Sequence, residues 1–293
     1  MLQRRFFYAL ALSCSLAGCG GGGDGSDNTK PNPPPTPPAP KMEPLQVLVP
    51  AYFYPLPGSP WEQLTRSAQA APQVTITAIV NPKNGSGNKA EAPIEQALAA
   101  FTQAGGKVLG YVPTGYGKRS AAEVRQHIER YFTFYGRARF SGFFLDEMSA
   151  TSAQLAYYQG LYQDIKAIDA QLQVVGNPGT TPLSSYAGVA DTLVTFEGQA
   201  SAYAAFQAQP WLYQYSNRKQ AMLVHDAAGC ADMQSAVRAA ANSAHYMGAV
   251  YVTHRHFDYP TQTGNPWAGL PTYWDNLVAT VAALNQGRAL PGC

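Results

Sequence analysis

Apolar residues in this chain come in short runs that end on polar or charged positions, and amphipathic stretches of helical length separate them. "LQVLVPAY" (45–52) precedes a helical pattern near 61–70, "QVTITAIV" (73–80) one at 90–104, and "KVLGYV" (107–112) one at 119–135. "FSGFFLD" (140–146) precedes 151–168, "LQVVGN" (172–177) a short helix near 182–188, and "DTLVTFE" (191–197) one at 199–206. "QAMLVHD" (220–226) leads to 231–245, and "GAVYVTH" (248–254) to 272–286. Runs this apolar, with no alternation, suit strands buried on both faces. Eight such strand–helix units in about 245 residues imply parallel strands joined by right-handed crossovers, and they match the usual size of a closed (β/α)8 barrel. A doubly wound open sheet is the competing arrangement. It would leave two edges, and none of the eight runs carries the charge that protects an edge.

The first 43 residues read differently. Arg4 and Arg5 precede an apolar run (6–16) too short to cross a membrane, and Leu16-Ala17-Gly18-Cys19 resembles a bacterial lipobox. Residues 1–18 are therefore expected to be an export signal, with Cys19 lipidated. Residues 19–43, rich in glycine and then proline, form an extended tether, and 44–293 form one barrel domain. The protein is expected to be exported, anchored by its lipid to the cell envelope, and monomeric. Once Cys14 and Cys19 are assigned to the signal and the anchor, Cys230 and Cys293 remain. In an oxidising compartment they are expected to pair and tie down the C-terminus, two separate thiols being the alternative.

A formal charge of +2, with no basic stripe, argues against a nucleic-acid partner. Low charge combined with 18 tyrosines suits a groove in which rings stack on neutral or weakly cationic sugars.

If the fold is a barrel, its site lies where the apolar runs end. The residues there are Tyr52, Asn81, Tyr111 with Thr114 and Tyr116, Asp146 with Glu147, Asn177, Glu197, His225 with Asp226, and His254 with Arg255. Strict alternation along a strand puts Asp146 on the face opposite Glu147, and Glu197 on one face with Leu193 and Thr195. With Asp146 and Glu197 both inward, acids from the fourth and sixth strands face each other across the mouth. Glycoside hydrolysis needs such a pair, one group ionised to attack and one protonated to donate. Capping of the 151–168 helix is the structural alternative for Asp146 and Glu147. "NPKNGSGN" (81–88) lacks the Lys-Ser/Thr of a phosphate loop and reads as a tight loop with Asn81 facing the pocket. His225, Asp226, His254 and His256 could suggest zinc, but the His-x-His pair follows the eighth run rather than the first, so no metal or other cofactor is expected. His127 and His245 read as helix-borne surface or packing residues.

"VPAYFYPLPGSPW" (49–61), "AIVNPKNGSG" (78–87), "VLGYVPTGYGKR" (108–119), "GFFLDE" (142–147), "VVGNPGT" (174–180) and "DTLVTFEG" (191–198) together resemble the spherulin-4 family. The last two units match it only through "YVTHR" and "NPW". The resemblance implies a (β/α)8 glycoside hydrolase acting on α-1,4-linked N-acetylgalactosamine in microbial exopolysaccharides. It carries the family's acidic pair to Asp146 and Glu147 and its later glutamate to Glu197. Which of the first two is the nucleophile it leaves open; the inward face favours Asp146, with Glu147 orienting it or meeting a substrate amine. Tyr116 is the expected stacking platform, and Tyr52, Asn81, Tyr111, Thr114, Asn177, His225, His254 and Arg255 are expected substrate contacts. A non-catalytic polysaccharide-binding barrel and a metal-dependent deacetylase are the alternatives.

Overall fold

The computed structural model describes residues 42–293; the expected signal, Cys19 and nearly all of the tether lie outside the described residues. Eight parallel strands close on themselves in sequence order. They are β1 (Gln46–Ala51), β2 (Ile76–Val80), β3 (Lys107–Pro113), β4 (Gly142–Asp146), β5 (Gln173–Gly176), β6 (Thr192–Gln199), β7 (Gln220–His225) and β8 (Ala249–Val252). Val47 pairs with both Ile76 on β2 and Val250 on β8, which seals the barrel and removes both edges of the open-sheet alternative.

Outside the strands run α1 (Pro60–Ala70), α2 (Ala92–Gln103), α3 (Ala121–Tyr135), α4 (Leu155–Ile168), α5 (Ala200–Tyr203), α6 (Cys230–Ala240) and α7 (Trp274–Asn285). The third crossover shows how local sequence sets an element. Ser120 and Glu123 form a reciprocal capping box that satisfies two otherwise unpaired N–H groups. From there Val124, Ile128, Tyr131 and Tyr135 bury one stripe, each worth roughly 1.5–3 kcal/mol in apolar surface removed from water. The Tyr131 hydroxyl donates to the carbonyls of Val80 and Tyr111, tying β2 and β3 to the helix. Gly110 faces that layer, and an added Cβ would meet the Tyr131 ring at 2.8 Å.

The fifth and sixth crossovers depart from the expected helices. The short helix near 182–188 is a 3-10 turn over Ser184–Gly188, and α5 spans only 4 residues of the expected 199–206. Segments of 5 and 4 residues are too short to nucleate a stable α-helix of their own. In the next crossover, Cys230 at the start of α6 is disulfide-bonded to Cys293, which anchors the C-terminus across a separation of 63 residues.

Gly142 sets the approach of β4 to β5, because a Cβ there would stand 1.9 Å from the carbonyl oxygen of Gln173. Gly142→Ala should therefore cost about 3 kcal/mol or more in a denaturant titration, since backbone must move. Gly160→Ala, on α4 with open space around it, should instead stabilise by about 0.5–1 kcal/mol.

Candidate active site

At the C-terminal ends of β3 to β6, polar side chains join in one hydrogen-bonded group. The Tyr111 hydroxyl donates to Asp146 Oδ2 at 2.6 Å, and Asn177 Nδ2 donates to Asp146 Oδ1 at 2.8 Å. The same nitrogen donates to Glu197 Oε2 at 2.7 Å. One amide therefore bridges the two carboxylates, whose bonded oxygens can be no farther apart than those two lengths laid end to end. Asp146 is 4% exposed and Asn177 7%, so water cannot readily substitute for these donors. With its oxygens engaged in this way, Asp146 is not a helix cap.

Glu197 reaches this group because β6 is irregular. Leu193 pairs with Gln220 and Val194 with Ala221, but the next pairing is Phe196 with Met222. Thr195 is the extra residue, and its hydroxyl donates to Gln220 Oε1. Phe196 packs on the rings of Tyr203 and Phe206, so two consecutive side chains lie on the outer face. Strict alternation, with Leu193, Thr195 and Glu197 on one face, is thus corrected by a bulge, and the bulge turns Glu197 toward Asn177.

The expectation for Glu147 also changes. Its φ of 54° is left-handed, so the strand has ended and alternation no longer places the side chain. Its carboxylate accepts the Gly115 N–H at 3.1 Å, on the turn that carries Tyr116, and its carbonyl accepts Tyr116 N–H at 2.7 Å. Thr114 is fully buried. Its hydroxyl lies 2.8 Å from the carbonyls of both Asp146 and Glu147 and 2.9 Å from the Tyr158 hydroxyl. It holds the strand end and is corrected from a substrate contact to a positioning group.

Residues 46–281 match the profile of Spherulation-specific family 4, Spherulin4. The chain belongs to this family. Spherulin-4 of Physarum polycephalum is 34% identical over 160 residues, which is 54% of this chain and 46% of that protein, so the match spans less than half the length of this relative. The spherulin-4 barrel is also similar to Aspergillus clavatus Sph3, solved with GalNAc, with a TM-score of 0.66 at 26% identity over 83% of this chain and all of that one. A chitinase domain from Pyrococcus furiosus, 12% identical with a TM-score of 0.50 over 86% of this chain and 98% of that one, shares the fold alone.

Around the carboxylates of this spherulin-4 member, Tyr52 sets its ring edge-on to Tyr111 at 5.4 Å, and Tyr116, 41% exposed with φ 57°, stands out on its turn. Asn81 lines a cavity with Tyr52, and its Oδ1 accepts Gly85 N–H at 2.9 Å, which shapes its own loop. That loop leans on His127, whose Nδ1 lies 3.1 Å from the Ser86 hydroxyl; His127 thus braces a loop and is no idle surface group. His245 lies beyond the end of α6, buried against the Tyr203 and Phe206 rings. Tyr158 and Tyr259 were not expected at the site; a tyrosine on a helix face or in a loop gives no local signal of such a role.

Of the four residues of the zinc reading, His254 stands apart from the other three. His254 Nδ1 accepts Thr272 N–H at 3.3 Å, and the Arg255 guanidinium lies against Gly269. His225 and His256 instead both hydrogen-bond Asp226, His225 through Nδ1 while its Nε2 meets the Tyr259 hydroxyl at 3.0 Å. Among the described residues, no three His, Cys, Asp or Glu side chains are grouped to hold a metal. Tyr259 sits in the turn between β9 (Phe257–Asp258) and β10 (Thr263–Gly264), and its hydroxyl lies 3.8 Å from where a Gly198 Cβ would stand. Asp226 thus pins a hairpin beside the end of β6.

Partial burial works against the Asp226 anion, but hydrogen bonds from His256 and His225 outweigh it and hold the carboxyl below its ordinary 3.8. Its bond to Asp226 raises His256 above 6.5, while burial pushes His225 down. The His256 contribution is complete below pH 6.5 and is lost as pH rises through its raised value; the Asp226 contribution is complete above pH 3.8 and is lost as pH falls through its lowered value. Amide protection factors in the hairpin should therefore fall as pH rises above 6.5, and His256→Ala should abolish that dependence.

Proposed function

We propose that this protein is an exported glycoside hydrolase that cleaves an exopolysaccharide of α-1,4-linked N-acetylgalactosamine and galactosamine within the chain, with retention at the anomeric carbon. The observation that carries the proposal is the pairing of Asp146 and Glu197 across the Asn177 amide. Retaining enzymes hold their two carboxyl groups about 5–5.5 Å apart and inverting enzymes about 6.5–9.5 Å, and the bonds of 2.8 and 2.7 Å to one Asn177 nitrogen keep the bonded oxygens closer than the inverting range. Family membership and the likeness to Sph3, solved with GalNAc, support a glycan-active barrel and this class of sugar. Tyr54, Tyr116 and Leu183, all exposed on loops at the strand C-termini, suit a long polymer lying across the mouth.

The Tyr111 and Asn177 donors hold the Asp146 carboxylate in a fixed orientation. An Asp146 oxygen attacks the anomeric carbon while the Glu197 proton passes to the leaving oxygen, so the C–O bond breaks as the glycosyl–Asp146 ester forms. Water then attacks the same carbon, gives its proton to Glu197 and releases the Asp146 carboxylate. Glu147, beside Tyr116, contacts the substrate or its amine. The lipobox-like sequence supports anchoring of the enzyme at the cell envelope through Cys19.

Purified protein should release oligosaccharides from α-1,4-linked galactosamine polymer, with the α-anomer appearing first by NMR. Asp146→Asn and Glu197→Gln should each lower kcat by about 10³-fold or more with little change in melting temperature. Full activity in either variant, or polymer bound without new reducing ends, would sink the assignment.

A further inference from the structure

We propose that Asn177 is a positioning residue of this hydrolysis, whose amide keeps one N–H on each carboxylate so that negative charge can pass from Asp146 to Glu197 without rearrangement of the site. The inference rests on the reading of the two carboxylates given above.

The orientation of the amide is determined by its surroundings. Asn177 Oδ1 accepts Gly179 N–H at 2.9 Å, so a flipped amide would lose that bond and present an oxygen to two carboxylates. The backbone is pinned as well: Asn177 N–H donates to Leu145 O at 2.9 Å, and its carbonyl accepts Met148 N–H at 3.0 Å. These bonds hold Asn177 to the end of β4 just before and just after the acid pair. The side chain is 7% exposed and faces the carboxylates, so its N–H groups are committed to Asp146 and Glu197 and not to solvent.

Attack by Asp146 consumes its charge in the new ester bond, while loss of the proton leaves Glu197 anionic. The charge thus moves from one bonded partner of Nδ2 to the other. A donor already stands at each end, so no dipole has to turn as the charge moves; water in this place would have to reorient. A structural asparagine would affect folding, and one that binds sugar would affect KM. This role predicts a loss in kcat.

Steady-state kinetics on the full chain with α-1,4-galactosamine polymer test the proposal. Asn177→Ala should lower kcat about 10²-fold with KM changed less than about threefold. Asn177→Asp keeps the shape and the acceptor for Gly179, which guards against a folding artefact. It should lose more than the alanine variant near neutral pH and recover toward it in acid, where a protonated carboxyl can donate one O–H. Undiminished kcat in both variants, an effect confined to KM, or identical pH behaviour of the two would overturn the role of Asn177. An inert wild type, or an active Glu197→Gln, would remove the hydrolase reading and this inference together; active wild type, inert carboxylate variants and a fully active Asn177→Ala would remove this inference alone.

Discussion

Two carboxylates brought this close under poor solvation repel each other, and the site exists because donors are built in around them. The Asn177 amide lies between them and the Tyr111 hydroxyl takes the far oxygen of Asp146. A buried charge without such partners would cost several kcal/mol, which the fold would have to offset elsewhere. Much of the surrounding architecture serves to place three side chains from β4, β5 and the bulged part of β6 at the same height. Gly142 lets β4 approach β5, Thr114 and Tyr158 hold the end of β4, and the extra residue Thr195 rotates the end of β6.

Strained backbone collects at the same end of the barrel. Glu147, Tyr116 and Asp226 all have φ between 54° and 59°, a region that costs a non-glycine residue of order 1–3 kcal/mol. Each is offset by bonds a relaxed chain could not make. Tyr116 N–H meets the Glu147 carbonyl, and Asp226 N–H meets the Arg255 carbonyl while its side chain takes two histidines. The strain lets adjacent residues point in directions that a continuing strand would forbid, so that Asp146 and its neighbour Glu147 reach different partners.

The barrel wall is uneven. Helices α1 to α4, α6 and α7 cover most of it with regular apolar stripes, whereas the crossovers on either side of β6 are short turns and loops. The irregular strand and the irregular crossovers lie side by side, and the aromatic cluster of Phe196, Tyr203 and Phe206 fills the gap that a full helix would cover.

Local chemistry written in the chain was enough for the eight parallel strands, the third helix and the polar residues at the strand ends, because apolar run length and helical period act over a few residues. Motifs shared with the spherulin-4 family added Asp146, Glu147 and Glu197. The turn of Glu147 out of the strand, the bulge at Thr195, the positioning role of Thr114, and the separation of His254 from Asp226 were not legible there. Each depends on a partner distant in sequence: Gly115, Gln220, Tyr158 or Thr272. Register and side-chain direction are settled by pairing between neighbouring strands, a contact that no local periodicity encodes, and the Asn177 bridge arises only once β4, β5 and β6 stand side by side.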